Sequence, residues 1–154
     1  MIKIIFLTVV FLFTKVHSSE FNVEYNVSTA GIKIGKFTWD LEIDGDKYVT
    51  EINLKNSGFF SPLYKFNGQY LSKGTIKDNK FRSIEYQQYW KTKKKIKTVE
   101  MVFDAYPVKL VQKPIESEHS RVDLETLFDY FDPITSFINI LNGSNEVKTI
   151  DGRR

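Results

Sequence analysis

Residues 21–54 decide the fold of this chain, and they read FNVEYNVSTAGIKIGKFTWDLEIDGDKYVTEINL. Bulky apolar side chains fall on every second position within residues 21–27 and 37–43, and Tyr48, Thr50, Ile52 and Leu54 continue the alternation. A two-residue period is typical of a strand that buries one face and exposes the other. The stretch therefore predicts three consecutive strands.

Glycines mark the boundaries of these strands. Gly31 and Gly35 lie where the apolar phase changes, which predicts a bulge or a sharp bend because glycine has no side chain. Asp44 and Gly45 predict a hairpin turn, since both residues tolerate the positive φ of a primed turn. Short turns between alternating segments indicate antiparallel strands.

The alternation continues beyond residue 54. It predicts further strands at residues 66–70, ended by Gly74, and then at 84–90, 99–103 and 105–111. Residues 77–80 form a turn by composition, and the polar stretch 112–123 predicts irregular structure. The chain as a whole is therefore expected to be mostly β, with a bent antiparallel sheet.

One helix is predicted near the C-terminus. Asp132 is suited to cap its first turn, and proline is favoured at the first helical position, which Pro133 occupies. Asn142 and Gly143 supply a left-handed stop. Residues 124–131 predict a preceding helical turn, and 147–150 a last strand. An apolar stripe at helical spacing is formed by Ile134, Phe137, Ile138 and Leu141.

The first 18 residues predict a cleavable signal peptide. Lys3 precedes an apolar run at residues 4–13, and Val16 and Ser18 lie three and one positions before a cleavage point. A membrane anchor is the alternative, but a spanning helix needs roughly 20 apolar residues, about twice this run. We expect a periplasmic protein whose single β-rich domain is residues 19–154.

Composition narrows the chemistry. The sequence has no cysteine, which excludes disulfides, cysteine-ligated metals and lipid attachment at a cysteine, so we expect no lipoprotein. Two of the 22 basic residues, Lys3 and Lys15, lie in the leader, and 19 residues are acidic. The processed chain is therefore nearly neutral and lacks the basic excess of a nucleic-acid binder.

Catalytic and metal-binding groups are not evident. His119 is the single histidine after the leader, and it lies in a polar stretch with Glu116 and Glu118. An exposed loop histidine is the favoured interpretation, because metal sites usually need several rigidly held ligands. No Gly-x-Ser-x-Gly motif occurs. We expect no catalytic residues, no metal and no cofactor.

Two surfaces are candidates for binding. A dense apolar segment around Pro62 either lines a pocket for an acyl chain or another apolar ligand, or folds onto the core. Its members are Phe59, Phe60, Leu63, Tyr64 and Phe66.

The second surface is a lysine cluster. Extended backbone would place Lys91, Lys93, Lys95 and Lys97 on one face, with Lys94 opposite. Such a stripe suits anionic lipid headgroups. The favoured interpretation is a solvated hairpin whose lysines block edge pairing.

Several short motifs together resemble the bacterial family called domain of unknown function 3108. Tyr25 is followed by Gly31-Ile32-Lys33-Ile34-Gly35, and Gly58 by Pro62-Leu63-Tyr64. The motif Asp132-Pro133-Ile134-Thr135-Ser136-Phe137 and the ending Asp151-Gly152-Arg153-Arg154 come later. The resemblance spans most of the chain, and the order of the motifs carries it.

The resemblance implies an exported protein without an assigned activity, built as a large twisted antiparallel sheet with little helix. An analogous envelope fold is the half-barrel of lipoprotein carriers, which holds acyl chains. Relatives continue with strands after the final Asp-Gly turn, so we expect this chain to be a fragment, or truncated relative to them.

Two functional hypotheses follow. The first is a non-enzymatic envelope protein that binds an apolar or lipidic ligand on a curved sheet. The alternative is a structural or interaction module that pairs with another envelope component through a sheet edge or the lysine cluster. Neither hypothesis involves nucleic acid or a transmembrane segment that persists after cleavage.

Overall fold

The structure is a computed structural model that describes residues 18–58, 61–62, 65–114, 123–144 and 147–150. Seven strands form its main sheet, and they are β1 (Ser18–Thr29), β2 (Ile32–Asp44), β3 (Lys47–Asn56), β4 (Phe66–Lys77), β5 (Lys80–Thr92), β6 (Ile96–Val102) and β7 (Lys109–Lys113).

Each strand of this sheet pairs antiparallel with the next one in sequence. In the described part of the chain β1 and β7 do not pair with each other, so the sheet is an open meander and not a closed barrel. This architecture confirms the predicted antiparallel sheet.

The turns follow the glycine and Asp/Asn signals. Ala30 and Gly31 have φ of 47° and 77°, and they join β1 to β2. Val27 pairs with Gly35 while Ser28 pairs with Lys33, so a bulge lies next to Gly35 as predicted.

The hairpin between β2 and β3 is shifted by one residue from its prediction. Asp44 pairs with Lys47 at the strand ends, so the two loop residues are Gly45 and Asp46. Gly45 has a φ of 61°, which an L side chain rarely adopts.

The predicted strand end at Gly74 is wrong, because β4 continues to Lys77. A Cβ added at Gly74 would lie 1.9 Å from the Arg82 carbonyl oxygen and 2.6 Å from the Tyr48 ring. The glycine is therefore explained by close packing inside the sheet, with a register shift next to it.

The helix α1 (Pro133–Leu141) begins where the sequence predicts, with Asp132 as its cap and Gly143 at a φ of 87° after it. The predicted apolar stripe is only half correct. Ile134 and Ile138 are buried, but Phe137 is 47% exposed and Leu141 is 62% exposed.

The side of α1 that faces the sheet also contains polar residues, whereas the stripe predicted Phe137 and Leu141 there. The polar residues are Thr135, Ser136 and Asn139. Asn139 accepts a hydrogen bond from the Phe81 backbone N–H at 2.9 Å and donates to the Phe81 carbonyl at 2.8 Å. Because the sheet offers such partners, the helix is rotated from the position that hydrophobicity alone predicts.

The remaining elements are short. A 3₁₀ turn occupies Leu124–Thr126, and strand β8 (Tyr130–Phe131) pairs in parallel with β9 (Lys148–Thr149), so the predicted last strand does not join the main sheet. The strand predicted at residues 105–111 corresponds to β7, which begins later, at Lys109. None of the helices formed by the described residues combines the length and apolarity that crossing a bilayer requires.

Candidate functional site

The strand register shows which side chains share a face of the sheet. Residues that oppose each other in adjacent antiparallel strands share a face. We call the face against which α1 packs the helix face. The opposite face has mostly polar side chains, among them Asp40, Glu51 and Lys73.

The part of the helix face next to α1 is organised by one row of residues, which we call the covered row. It crosses all seven strands and consists of Phe21, Leu41, Thr50, Ser72, Tyr86, Met101 and Leu110. The four central residues of this row are almost completely buried, and they are Thr50, Ser72, Tyr86 and Met101.

A buried carboxylate fastens α1 to the covered row. Asp132 is fully buried, and its Oδ2 accepts hydrogen bonds from the hydroxyls of Ser72 at 2.8 Å, Ser83 at 2.6 Å and Thr135 at 2.5 Å. Its Oδ1 accepts from the backbone N–H groups of Ile134 at 2.9 Å and Thr135 at 3.0 Å. Five donors therefore compensate the burial of this carboxylate.

Tyr48 completes the polar cluster. Its hydroxyl lies 2.5 Å from Thr135 Oγ1, and because Thr135 directs its own proton to Asp132, Tyr48 is the donor. Burial, and next the nearby charge of Asp132, raise the pKa of Tyr48 to about 12. The cluster is enclosed and saturated with hydrogen bonds, which suits a structural role.

The sequence indicates Asp132 only as a helix cap and does not reveal its partners. Ser72 and Thr50 occupy positions that the apolar phase of their strands assigns to the core. Polar residues on a buried phase need hydrogen-bond partners, and this is the signal that could have found the cluster.

The other part of the helix face is organised by a second row, which we call the open row. It crosses six strands in register and consists of Tyr25, Phe37, Leu54, Gly68, Trp90 and Lys97. Of these residues only Gly68 is buried, and all the side chains on either side of it are half-buried or exposed.

Three aromatic side chains, the aromatic trio Phe66, Tyr70 and Trp90, meet above Gly68. The Phe66 and Trp90 rings pack edge to face with centroids 5.3 Å apart, and the Trp90 indole N–H donates to the Tyr70 hydroxyl. A Cβ at Gly68 would lie 3.1–3.2 Å from all three side chains. The absent side chain lets the trio close over the strand.

Two cavities flank the aromatic trio. One, of about 210 Å³, lies on the β5 to β7 side and includes Trp90 and Val99 in its lining. The other, of about 380 Å³, lies on the β1 to β3 side and includes Val27, Leu54 and Phe66. Apolar walls with a few polar groups are typical of sites for apolar ligands.

The predicted ligand-binding residues are only partly described. Phe66 belongs to the aromatic trio and lines the larger cavity. Phe59, Phe60, Leu63 and Tyr64 lie outside the described residues. The alternation predicts strands at Tyr70 and Trp90 but indicates no binding role for them, although the pattern aromatic-x-Gly-x-aromatic at residues 66–70 is visible in the sequence.

The lysine cluster does not form a stripe on one face. Lys93, Lys94 and Lys95 are exposed in the turn between β5 and β6. Lys97 pairs with Trp90 on the helix face, whereas Lys91 pairs with Ile96 on the opposite face. The lysines therefore surround a hairpin turn. Their contact with an anionic surface remains a prediction.

Among the residues that the structure describes, no group of three or more His, Cys, Asp or Glu is arranged to hold a metal ion. His119, Glu116 and Glu118 lie outside that part, as does the predicted leader.

A family model described as "Protein of unknown function (DUF3108)" matches residues 20–152. The chain belongs to the DUF3108 family. The matched range of this DUF3108 protein contains α1, Asp132 and both rows of the helix face. No curated protein and no solved structure matches the chain.

Proposed function

We propose that this DUF3108 protein is a non-enzymatic protein of the bacterial envelope that binds an apolar or lipidic ligand along the open row. The observation that supports this proposal is the aromatic trio, which lies between two cavities at a place that α1 does not cover.

The energetics favour an apolar ligand. Covering apolar surface stabilises a complex by roughly 25 cal/mol for each Å² removed from water. Phe37, Leu54 and Trp90 are all half-buried, so each retains surface that a ligand can cover. The hydrogen bond between Trp90 and Tyr70 fixes both rings before binding, which reduces the entropy lost in the complex.

Native mass spectrometry of the purified protein tests the proposal. We expect co-purifying lipid, or uptake of a fluorescent fatty acid by the delipidated protein. Trp90→Ser should weaken uptake roughly tenfold, since buried aromatic anchors often dominate binding energy. The matched control is Tyr89→Ser, because Tyr89 directly precedes Trp90 on β5 and its side chain lies on the opposite face. Absence of both lipid and uptake in the wild type contradicts the proposal.

Export is part of the same proposal and has its own test. The supporting feature is the leader pattern at residues 1–18. We expect the protein in the periplasmic fraction of an expressing bacterium, with a mature N-terminus at Ser19. An intact Met1 in the cytoplasmic fraction would refute export while leaving ligand binding to be decided separately.

A second candidate function is an interaction module that adds a strand at the edge of the sheet. Strand β1 supports this candidate, because within the described residues it pairs only with β2 and its other edge is open. Phe21, Tyr25 and Val27 are exposed on it, with Tyr25 at 59%. Long edge strands with exposed apolar residues readily accept another strand.

A second copy of the chain is the simplest partner for this edge. Antiparallel self-pairing centred on Val23 would place Phe21 opposite Tyr25 and Asn22 opposite Glu24. Centring the pair on Asn22 instead would oppose Glu20 to Glu24, and centring it on Glu24 would oppose that residue to itself. Like charges directly opposite each other destabilise a strand pair, so the first register is favoured.

A further inference from the structure

The smaller cavity has an apolar floor and a basic rim. Trp90 and Val99 contribute the apolar surface, and three lysines, Lys95, Lys97 and Lys113, also line it. The lysines belong to three different elements, which are the turn after β5, strand β6 and the end of β7. No aspartate or glutamate of the described chain is among the residues that line this cavity.

The open row gives this cavity a direction. From Tyr25 through Phe37, Leu54 and the aromatic trio the row is apolar, and it ends at Lys97 beside Trp90. Six adjacent strands at about 4.8 Å spacing extend the row over roughly 24 Å. A long apolar path that ends among ammonium groups matches a molecule with one apolar end and one charged end.

We propose that the ligand of the open row is an anionic amphiphile, whose alkyl chain lies over the aromatic trio and whose carboxylate or phosphate head contacts Lys95, Lys97 and Lys113. This inference rests on the proposed function and adds the class of ligand and its orientation. The ammonium groups donate charge-assisted hydrogen bonds to the head, and the apolar stems of the lysines contact the first carbons of the chain.

The two simpler ligand classes fit the cavity less well. A neutral apolar molecule would make no use of the positive charge on the rim. A free anion would not cover the apolar surface that Trp90 presents to the cavity. Only a molecule with both properties uses the floor and the rim together.

The test compares dodecanoate, dodecyl phosphate and dodecanol as competitors of a fluorescent fatty acid on the delipidated protein. We expect both anions to bind more tightly than the alcohol, and the advantage to shrink as salt is added. The double variant Lys95→Gln/Lys97→Gln should lose roughly fivefold to tenfold in affinity for dodecanoate and little for dodecanol.

A matched control lies in the same turn. Lys93→Gln/Lys94→Gln removes the same charge from residues that do not line the cavity, so its affinity for dodecanoate should equal that of the wild type. Inorganic phosphate distinguishes a lipid head from a free anion, and we expect it not to displace the probe.

Each failure has a distinct signature. Equal binding of dodecanoate and dodecanol, unchanged in the lysine variants, overturns the anionic head and leaves the proposed function intact. Equal losses in both double variants assign the effect to general surface charge and overturn the inference as well. If none of the three amphiphiles binds, the proposed function fails.

Discussion

Asp132 is the residue on which the attachment of α1 depends. Its carboxylate is fully buried, and its partners come from β4, β5 and α1 itself. Removing one member of a buried charged network leaves several donors without an acceptor, and such changes are among the most destabilising single substitutions.

Asp132→Ala should therefore lower the free energy of unfolding by about 3 kcal/mol or more, the sum of a lost cap and lost charge-assisted hydrogen bonds. The control is Asp123→Ala, because Asp123 caps the exposed 3₁₀ turn and accepts a hydrogen bond from the Glu125 N–H at 3.0 Å. It should cost about 1 kcal/mol or less. Urea denaturation measures both values, and equal losses would contradict the role given to Asp132.

Tyr48 should make stability depend on pH in the alkaline range. Its pKa rises from 10.0 to about 12 on folding, so the unfolded chain loses this proton first as the pH increases. Stability from this group is thus complete below pH 10 and decreases between pH 10 and 12, by about 3 kcal/mol in total.

Urea denaturation at pH 8 and pH 11 tests this expectation. Tyr48→Phe removes the titrating group, so the variant should be less stable than the wild type at pH 8 but should lose less on going to pH 11. An identical pH dependence of the two proteins would show that Tyr48 is not the group responsible.

Helix α1 illustrates which features of an element depend on distant residues. Its start and its stop were predictable, since Asp132, Pro133 and Gly143 act within one turn of the helix. The buried side of the helix was not, because Asn139 binds the backbone of Phe81, which is 58 residues away in the sequence. Hydrophobic periodicity contains no information about such a partner.

Asn139→Ala should consequently destabilise the protein more than Leu141→Ala. The first change leaves the buried N–H and carbonyl of Phe81 without partners, at a cost of about 1–3 kcal/mol each. The second trims a side chain that is 62% exposed and should cost less than about 1 kcal/mol. Thermal unfolding ranks the two variants, and the reverse order would support the apolar stripe instead.

Strand β1 provides the prediction for the sheet edge. If β1 pairs with itself in a second copy, analytical ultracentrifugation of the wild type should show a dimer at high concentration. Asn22→Pro removes a backbone N–H that faces the free edge of β1 and should favour the monomer. The two-residue hairpin loop after Asp44 directs the N–H of Val23 to β2 instead. Tyr25→Lys is a gentler variant that keeps the backbone intact, with circular dichroism as the control for folding. A monomeric wild type at every concentration rules out the self-paired edge.

At the scale of the whole molecule, the helix face of the sheet has two parts, one organised by the covered row and one by the open row. The centre of the covered row is buried and joined to α1 through Asp132, whereas the open row retains half-buried aromatic side chains beside two cavities. The first part fastens the helix to the sheet, and the second is the part that we propose for ligand binding.

The sequence predicted this sheet well because its signals are local. Alternation at residues 21–27 and the turn residues Gly31 and Gly45 act between neighbours in the chain. The aromatic trio was not predicted, because Phe66 and Trp90 lie 24 positions apart and meet only once β4 and β5 are in register. The register of two long strands is a property of the folded sheet.

The two tryptophans of the chain report on the two parts separately. Trp39 is buried beside α1, where Phe137 packs on it and its indole N–H donates to Thr50 at 2.8 Å, whereas Trp90 belongs to the aromatic trio. The most direct measurement is a fluorescence titration of Trp39→Phe and Trp90→Phe with dodecanoate. We predict a saturable blue shift of Trp90 emission in the first variant and no shift of Trp39 emission in the second. A Trp90 emission that does not respond, or a Trp39 emission that responds equally, would contradict ligand binding along the open row.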